Sequence, residues 1–178
     1  MIDRRSFIRH MGSVCGAVAT ARAAAAAANT TGVRSISFVH THTGEELTAA
    51  YWKAGQYQPA SLLQVNRLLR DFRTNEDHTI DPALLDVLFD LKCLTDSDRP
   101  FQVISGYRSP KTNEMLRHAG DGVAQHSMHL VGKAIDIRLT SFPTTRLGEL
   151  ARSLRLGGVG YYRSSDFVHV DTGRVRFW

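Results

Sequence analysis

His129 precedes Asp136 by seven residues in the stretch SMHLVGKAID, Ser127 to Asp136. Asp136 falls among Ala134, Ile135 and Ile137, where a strand buried on one face places small or apolar groups. A carboxylate there needs a partner, because burying it unpaired is costly. Gly132 lets the chain bend, so that His129 can return toward the strand. On these ten residues two readings stand. One is a metal site; the other pairs Asp136 with Arg138 or Arg108 and leaves His129 as a loop residue. The stretch DFVHVDTGR, Asp166 to Arg174, favours the first. His169 sits mid-strand between Val168 and Val170, and a neighbouring strand could set it beside Asp136. Two histidines and one carboxylate with an open fourth position form a catalytic zinc arrangement. Asp166, three residues before His169 at the strand's entrance, is then a second carboxylate near the metal. It can take the proton of an attacking water.

These residues need elements to hold them. Arg34 to His42 and Leu47 to Trp52 alternate loosely about the turn Thr43-Gly44 and read as a hairpin. Ser61 to Phe72 has apolar residues at helical spacing (Leu62, Val65, Leu68, Leu69, Phe72). Asp81-Pro82 supplies an N-cap and a first-turn proline for a second helix, with the stripe Leu84, Val87, Leu88 and Leu91. Phe101 to Ile104 is a short strand, and Ser109-Pro110 starts a third helix through about His118. Ala134 to Leu139 alternates well, with Asp136 opposite in face to Ile135 and Ile137. Pro143 to Leu154 is a helix, Val159 to Tyr162 and Phe167 to Val170 are strands, and Arg174 to Trp178 is a last strand. The expected fold is α+β, a small antiparallel sheet carrying the zinc site and flanked by helices.

The N-terminus reads differently from the rest. Asp3-Arg4-Arg5-Ser6-Phe7-Ile8-Arg9 is the twin-arginine export pattern, followed by a mildly apolar stretch from Met11 to Thr20 and the alanine run Ala23 to Ala28. Residues 1–28 are therefore expected to be a signal peptide and 29–178 one domain, placed in the periplasm. A basic N-terminal helix that stays attached is the alternative. Removal of Arg4, Arg5, Arg9, Arg22 and Asp3 lowers the formal charge from +5 to +2. No basic tract of the kind that binds nucleic acid remains. No other apolar run is long enough to span a bilayer, and no nucleotide or redox cofactor is implied. Cys15 lies in the signal, which leaves Cys93 without a disulfide partner; next to Leu91 and Leu94 it reads as a buried thiol.

Several other residues admit a chemical role and a plainer one. His126 could compete as a ligand, but reads better as a residue behind the ligands or in a substrate pocket, as Asp136 and His169 complete the set. His40 and His42 could bind metal, but without a third ligand beside them a solvated hairpin face is preferred. Asp171, two after His169, could orient a ligand or hold Arg174, and is the runner-up for the base. Ser127 is expected to hydrogen-bond substrate or loop backbone, with no histidine–acid pair to make it a nucleophile.

The pattern S-x-H-x-x-G-x-A-x-D resembles the signature of the zinc peptidases that include D-alanyl-D-alanine carboxypeptidases and dipeptidases. Ser127, His129, Gly132, Ala134 and Asp136 occupy its five fixed positions. Asp166 and His169 match the family's second motif, with aspartate where glutamate is commoner. Arg108 in SGYRSPKTN matches the upstream arginine that binds substrate near the scissile carbonyl. The twin-arginine signal, LLQVNRLLRDFRTNE, SGYRSP and the ending HVDTGRVRFW are together similar to a subfamily of exported murein endopeptidases. The resemblance implies a LAS-type zinc peptidase fold, with one Zn2+ on His129, Asp136 and His169. Asp166 and Arg108 are then catalytic, and Ser127, His126 and Asp171 lie around the substrate or behind the ligands. It implies hydrolysis of peptidoglycan peptide cross-links, including those between two diaminopimelate residues, with the twin-arginine translocase as a partner during export. The alternatives are a D-alanyl-D-alanine carboxypeptidase, a zinc-bearing peptidoglycan-binding module without turnover, and an envelope protein using zinc only to fold.

Overall fold

The structure is a computed structural model that describes residues 32–120 and 123–178. The expected signal peptide, residues 1–28, lies outside the described residues. Eight strands form one sheet: β1 (Val33–His40), β2 (Glu46–Lys53), β3 (Gln56–Tyr57), β4 (Phe101–Ser105), β5 (Ala134–Leu139), β6 (Gly158–Tyr162), β7 (Phe167–Asp171) and β8 (Arg176–Phe177). Their order across the sheet is β3-β2-β1-β4-β5-β7-β6-β8. The helices are α1 (Pro59–Leu68), α2 (Pro82–Thr95), α3 (Pro110–His118) and α4 (Thr144–Leu154), with a 3-10 turn at Met128–Val131.

The α+β expectation holds, but the sheet is mixed rather than wholly antiparallel. β1 and β4 run parallel, as do β6 and β8. The first pair is separated in sequence by β2, β3, α1 and α2. A crossover of that length lets β4 return beside β1 in the same direction. In the second, the chain reverses after β7 and passes to the far edge of β6.

Alternation along the central strands assigns their two faces. Ile135, Ile137 and Leu139 of β5 and Val168 and Val170 of β7 join the core with Leu84, Leu85, Leu88 and Leu91 of α2 and Leu147 and Ala151 of α4. Asp136 and His169 have the opposite parity. The site therefore lies on the sheet face turned away from that core. A register shift between Val103 and Ser105 brings Ser105 opposite Asp136. The extra residue re-aims the end of β4 toward the site, a usual consequence of a bulge.

Local sequence sets the helix starts. The Asp81 side chain accepts from the Ala83 amide and that of Ser109 from the Thr112 amide, each followed by proline at the first turn. The first helix ends at Leu68, although the apolar spacing runs on to Phe72. Tertiary partners divert this segment. The Leu69 carbonyl accepts from the Tyr107 amide at 2.7 Å, and Asp71 is bridged to Glu76. Two further expectations are corrected. Cys93 is exposed, because α2 turns it away from the stripe buried on its core side. His40 is fully buried at the end of β1, packed edge-on against Phe72, rather than lying on a solvated face.

Gly132 closes the 3-10 turn with φ +65°, and a Cβ there would stand 2.1 Å from the Thr79 carbonyl oxygen. The Gly132 carbonyl in turn accepts from the Asp81 amide at 2.9 Å. Gly44 has a similar φ of +72° but open space around it. Gly132→Ala is expected to lower stability by more than about 2 kcal/mol, since strain and a backbone clash add. Gly44→Ala is expected to cost only about 1 kcal/mol from its φ. Thermal unfolding of the two variants checks this; equal losses would show that the close approach at Gly132 does not matter.

Candidate metal and active site

Three elements deliver the polar groups. The 3-10 turn is opened by Ser127, whose hydroxyl accepts from the His129 amide, and it carries His129. Strand β5 carries Asp136 and β7 carries His169, and these two are direct cross-strand partners. All three side chains are buried.

Their facing atoms converge. His129 Nε2 lies 3.2 Å from Asp136 Oδ1 and 3.2 Å from His169 Nδ1, and His169 Nδ1 lies 2.9 Å from Asp136 Oδ1. A tetrahedral ion with ligands at about 2.0–2.1 Å needs donor–donor edges of about 3.3 Å, close to this triangle. Among the described residues this is the group of histidines and acids whose ligand atoms could hold a metal ion.

The remaining atoms of the triad are held from behind. His129 Nδ1–H donates to the Gly106 carbonyl at 2.6 Å, which leaves Nε2 with its lone pair toward the site. His169 Nε2–H donates to Asp171 Oδ2 at 3.0 Å, which leaves Nδ1 free to ligate. Arg108 donates to Asp136 Oδ2 at 2.7 Å and to Ser105 Oγ at 3.1 Å. Such outer partners fix tautomer and orientation in metal centres.

Electrostatics follow from these contacts. Burial opposes a charge on Asp136, but His129 and His169 outweigh it and hold its carboxyl well below the usual carboxylate range. Burial depresses the His129 pKa. For His169 burial works in the same sense, yet Asp136 and Asp171 on its two sides overcome it and raise its pKa. Asp171 is itself kept ionised, against burial, by His169, Arg176 and the Gly173 amide. Each carboxylate charge therefore has a compensating donor, as buried charge requires.

The triad opens into a cavity of about 800 Å³. Arg108, His126 and Ser127 line it. Asp166 and Asp171 do not line it. Asp171 is fully buried and receives donors from His169, Arg176 and the amides of Gly158 and Gly173. It stands behind His169, with its carboxylate already taken up by these donors. It pairs with Arg176, not Arg174. Asp166 lies in the turn before β7 at φ +50°, 61% exposed, with its carboxylate 3.6 Å from Arg138. Its neighbours Ser164 and Ser165 do line the cavity.

Some cavity residues carry no sequence signal strong enough to single them out. Tyr162, Phe167 and Trp178 form an aromatic side. The Trp178 indole donates to the Tyr162 hydroxyl at 3.0 Å, and its ring stands 5.3 Å from that of His169. A Cβ at Gly160 would meet this indole at 2.5 Å, so the bare glycine makes the seat for it. On another side stand His42 and Arg73. In the sequence His42 is marked only as a candidate metal ligand, and Trp178 and Arg73 only as parts of the stretches HVDTGRVRFW and LLQVNRLLRDFRTNE; nothing local marks Tyr162 or Phe167 as a cavity wall.

Comparison with known proteins places this geometry in a lineage. Residues 28–178 match the model of the family described as peptidoglycan L,D-endopeptidase MepK. The peptidoglycan L,D-endopeptidase MepK of Escherichia coli strain K12 is 38% identical over 176 residues, covering 99% of this chain and 97% of that one. The protein of the same name from Shigella flexneri gives the same figures. A "Probable peptidoglycan L,D-endopeptidase MepK" from Haemophilus influenzae is 43% identical over 146 residues, covering 82% of this chain and 78% of that one. The solved structure of Serratia marcescens L-Ala D-Glu endopeptidase ChiX overlaps 43% of this chain and 62% of that one at 24% identity, with a TM-score of 0.34, too slight a likeness to bear on the fold. Family match and full-length relatives agree, and the chain belongs to the MepK family of peptidases.

Proposed function

We propose that this chain is a zinc-dependent endopeptidase that cuts peptide cross-links of peptidoglycan, those between two diaminopimelate residues among them. The observation that supports it best is the convergence of His129 Nε2, Asp136 Oδ1 and His169 Nδ1 at mutual distances of 2.9–3.2 Å on the floor of a cavity. Two imidazoles and a carboxylate suit zinc. Zinc, when held there, polarises a peptide carbonyl and makes a water acidic enough to attack at neutral pH. The names of the relatives support the substrate class. The signal-like segment 1–28 supports export by the twin-arginine translocase to the periplasm, where peptidoglycan lies.

The chain's own groups supply the rest. Arg108 is fixed by Asp136 and Ser105 with its side chain at the cavity, placed to steady a developing oxyanion or an adjoining substrate carboxylate. Proton transfer is assigned to Asp166, delivered by the Arg163–Asp166 turn. Its long contact with the partly exposed Arg138 is worth under about 1 kcal/mol, so releasing it toward the cavity costs little. Asp171 is assigned to bracing His169. His126 and Ser127, which line the cavity, are assigned to contacts with the peptide.

Purified zinc-loaded protein should release, from cell-wall sacculi, fragments that mass spectrometry identifies as cut at the diaminopimelate–diaminopimelate bond. Loss of terminal D-alanine alone would identify a carboxypeptidase instead. His129→Ala and His169→Ala should lose nearly all bound zinc and all cutting; full zinc and full activity in both would refute the ligand set.

The two acids separate by metal content. Asp166→Asn should keep zinc while turnover falls roughly a hundredfold or more, the scale for losing a general base. Asp171→Asn should bind zinc about ten- to a hundredfold more weakly, the scale for losing a brace behind a ligand. An Asp166→Asn enzyme at the parent rate, beside an inactive Asp171→Asn enzyme with full zinc, would reverse the two roles.

A further inference from the structure

The segment Gly106 to Ser109, which carries Arg108, is held residue by residue. The Gly106 carbonyl accepts from His129 Nδ1 at 2.6 Å. The Tyr107 amide donates to the Leu69 carbonyl at 2.7 Å, and the Arg108 amide to the His129 carbonyl at 3.2 Å. Ser109 is fully buried and donates to the side chain of Asp71, which is itself 1% exposed. Asp71 lies in the loop after α1, far from Ser109 in sequence.

The Asp71 carboxylate works on both of its sides. Oδ1 accepts from the Arg73 amide at 3.0 Å. Oδ2 accepts from the Ser109 amide at 2.9 Å and from the Ser109 hydroxyl at 2.7 Å. With the hydroxyl hydrogen turned to Asp71, Ser109 Oγ keeps a lone pair for the Thr112 amide at 3.3 Å, the cap of α3. An amide of the same shape cannot replace this carboxylate, because its NH2 would face an N–H on one side or the other. Burial opposes the charge, but donors from Thr112 and Ser109 outweigh it and hold the carboxyl below its ordinary value. The backbone of Asp71 is pinned too. Its amide donates to the Glu76 carbonyl at 3.0 Å, and its carbonyl accepts from the Asn75 amide at 2.7 Å.

Arg108 lines the cavity, whereas Asp71 and Ser109 do not. Any effect of Asp71 on the reaction must therefore pass through another group. Ser109 is the residue after Arg108, whose guanidinium reaches Ser105 Oγ at 3.1 Å and Asp136 Oδ2 at 2.7 Å. We propose that Asp71 is a positioning residue, which by holding Ser109 fixes the backbone of Arg108 and so the place where its guanidinium meets Asp136 and the cavity. A guanidinium that must meet a reacting group within a fraction of an ångström needs such a base, since a shift of about 1 Å can cost a hundredfold in rate. The consequence for the rate rests on the role given to Arg108 above; the positioning itself does not.

The test has two arms, both on zinc-loaded protein. The first is a double-mutant cycle of Asp71→Asn with Arg108→Gln, read as kcat/KM per bound zinc on a synthetic diaminopimelate–diaminopimelate cross-linked peptide. Asp71→Asn alone should lower kcat/KM roughly ten- to a hundredfold. In the Arg108→Gln background it should cost under about twofold more, because the two changes disable one device. The second arm needs no turnover. The Arg108 Nε–H, donated to Ser105, is followed by NMR and assigned by its absence from Arg108→Lys; its exchange with water should quicken about tenfold or more in Asp71→Asn. Equal fold losses in the two backgrounds overturn the proposal and make Asp71 a support of the fold alone. Unchanged exchange of the Arg108 Nε–H in Asp71→Asn also overturns it. Should Asp71→Asn not fold, Ser109→Ala takes its place in both arms: it deletes one of the donors that Asp71 collects, and its loss should likewise vanish beside Arg108→Gln. If wild type cuts no cross-link, or Arg108→Gln cuts as well as wild type, the proposed function or the role of Arg108 fails instead, and the exchange arm alone decides the positioning.

Discussion

Strands β5 and β7 pair antiparallel with Asp136 opposite His169, and the site depends on that one register. Side chains on a strand alternate between faces, so a slip by one residue would send His169 into the core and bring Val168 or Val170 to the site. The register is well defended. Ile135 and Ile137 on β5, and Val168 and Val170 on β7, are all buried on the opposite face. Apolar burial of about 1.5–3 kcal/mol per side chain holds the pairing that the polar residues use. The core thus decides where Asp136 and His169 stand, through residues that alternate with them along the two strands.

A site assembled this way buries costly groups, and the surrounding chain compensates. Asp136 meets two imidazoles on one oxygen and Arg108 on the other. Asp171 collects the far side of His169 together with Arg176 and two amides. These arrangements make each ring present a chosen nitrogen: Nε2 from His129 and Nδ1 from His169. The two differ because His129 is held from behind by a carbonyl on the β4–α3 connection and His169 by a carboxylate on its own strand.

The segment from Gly106 to Ser109 links much of this. Gly106 orients His129, Arg108 holds Asp136, and Ser109 both caps α3 and donates to the Asp71 carboxylate. A Cβ at Gly106 would stand 2.4 Å from the Leu69 carbonyl oxygen, so the segment runs hard against the end of α1. Four consecutive residues therefore connect the His129–Asp136–His169 triad to the loop that carries Arg73, across elements distant in sequence.

Residue type and spacing were enough to name His129, Asp136 and His169, to bound the elements that carry them, and to place the proline-led helix starts at Asp81 and Ser109. These are local properties: alternation, caps and donor chemistry are written in a few consecutive residues. The tertiary structure decided the rest. Asp166 and Asp171 are equally acidic and nearly equally close to His169 in sequence, yet one lies exposed in a turn at φ +50° and the other is sealed behind the imidazole. Asp171 is still on β7, two residues from His169 and on its face, whereas Asp166 precedes the strand in a turn. The parallel pairing of β4 with β1, the burial of His40 and the early end of α1 likewise came from packing between distant segments. So did the cavity walls, where Trp178 and Arg73 come from segments distant in sequence. Spacing along a chain specifies which groups share a face, whereas which faces meet is fixed only when the core closes.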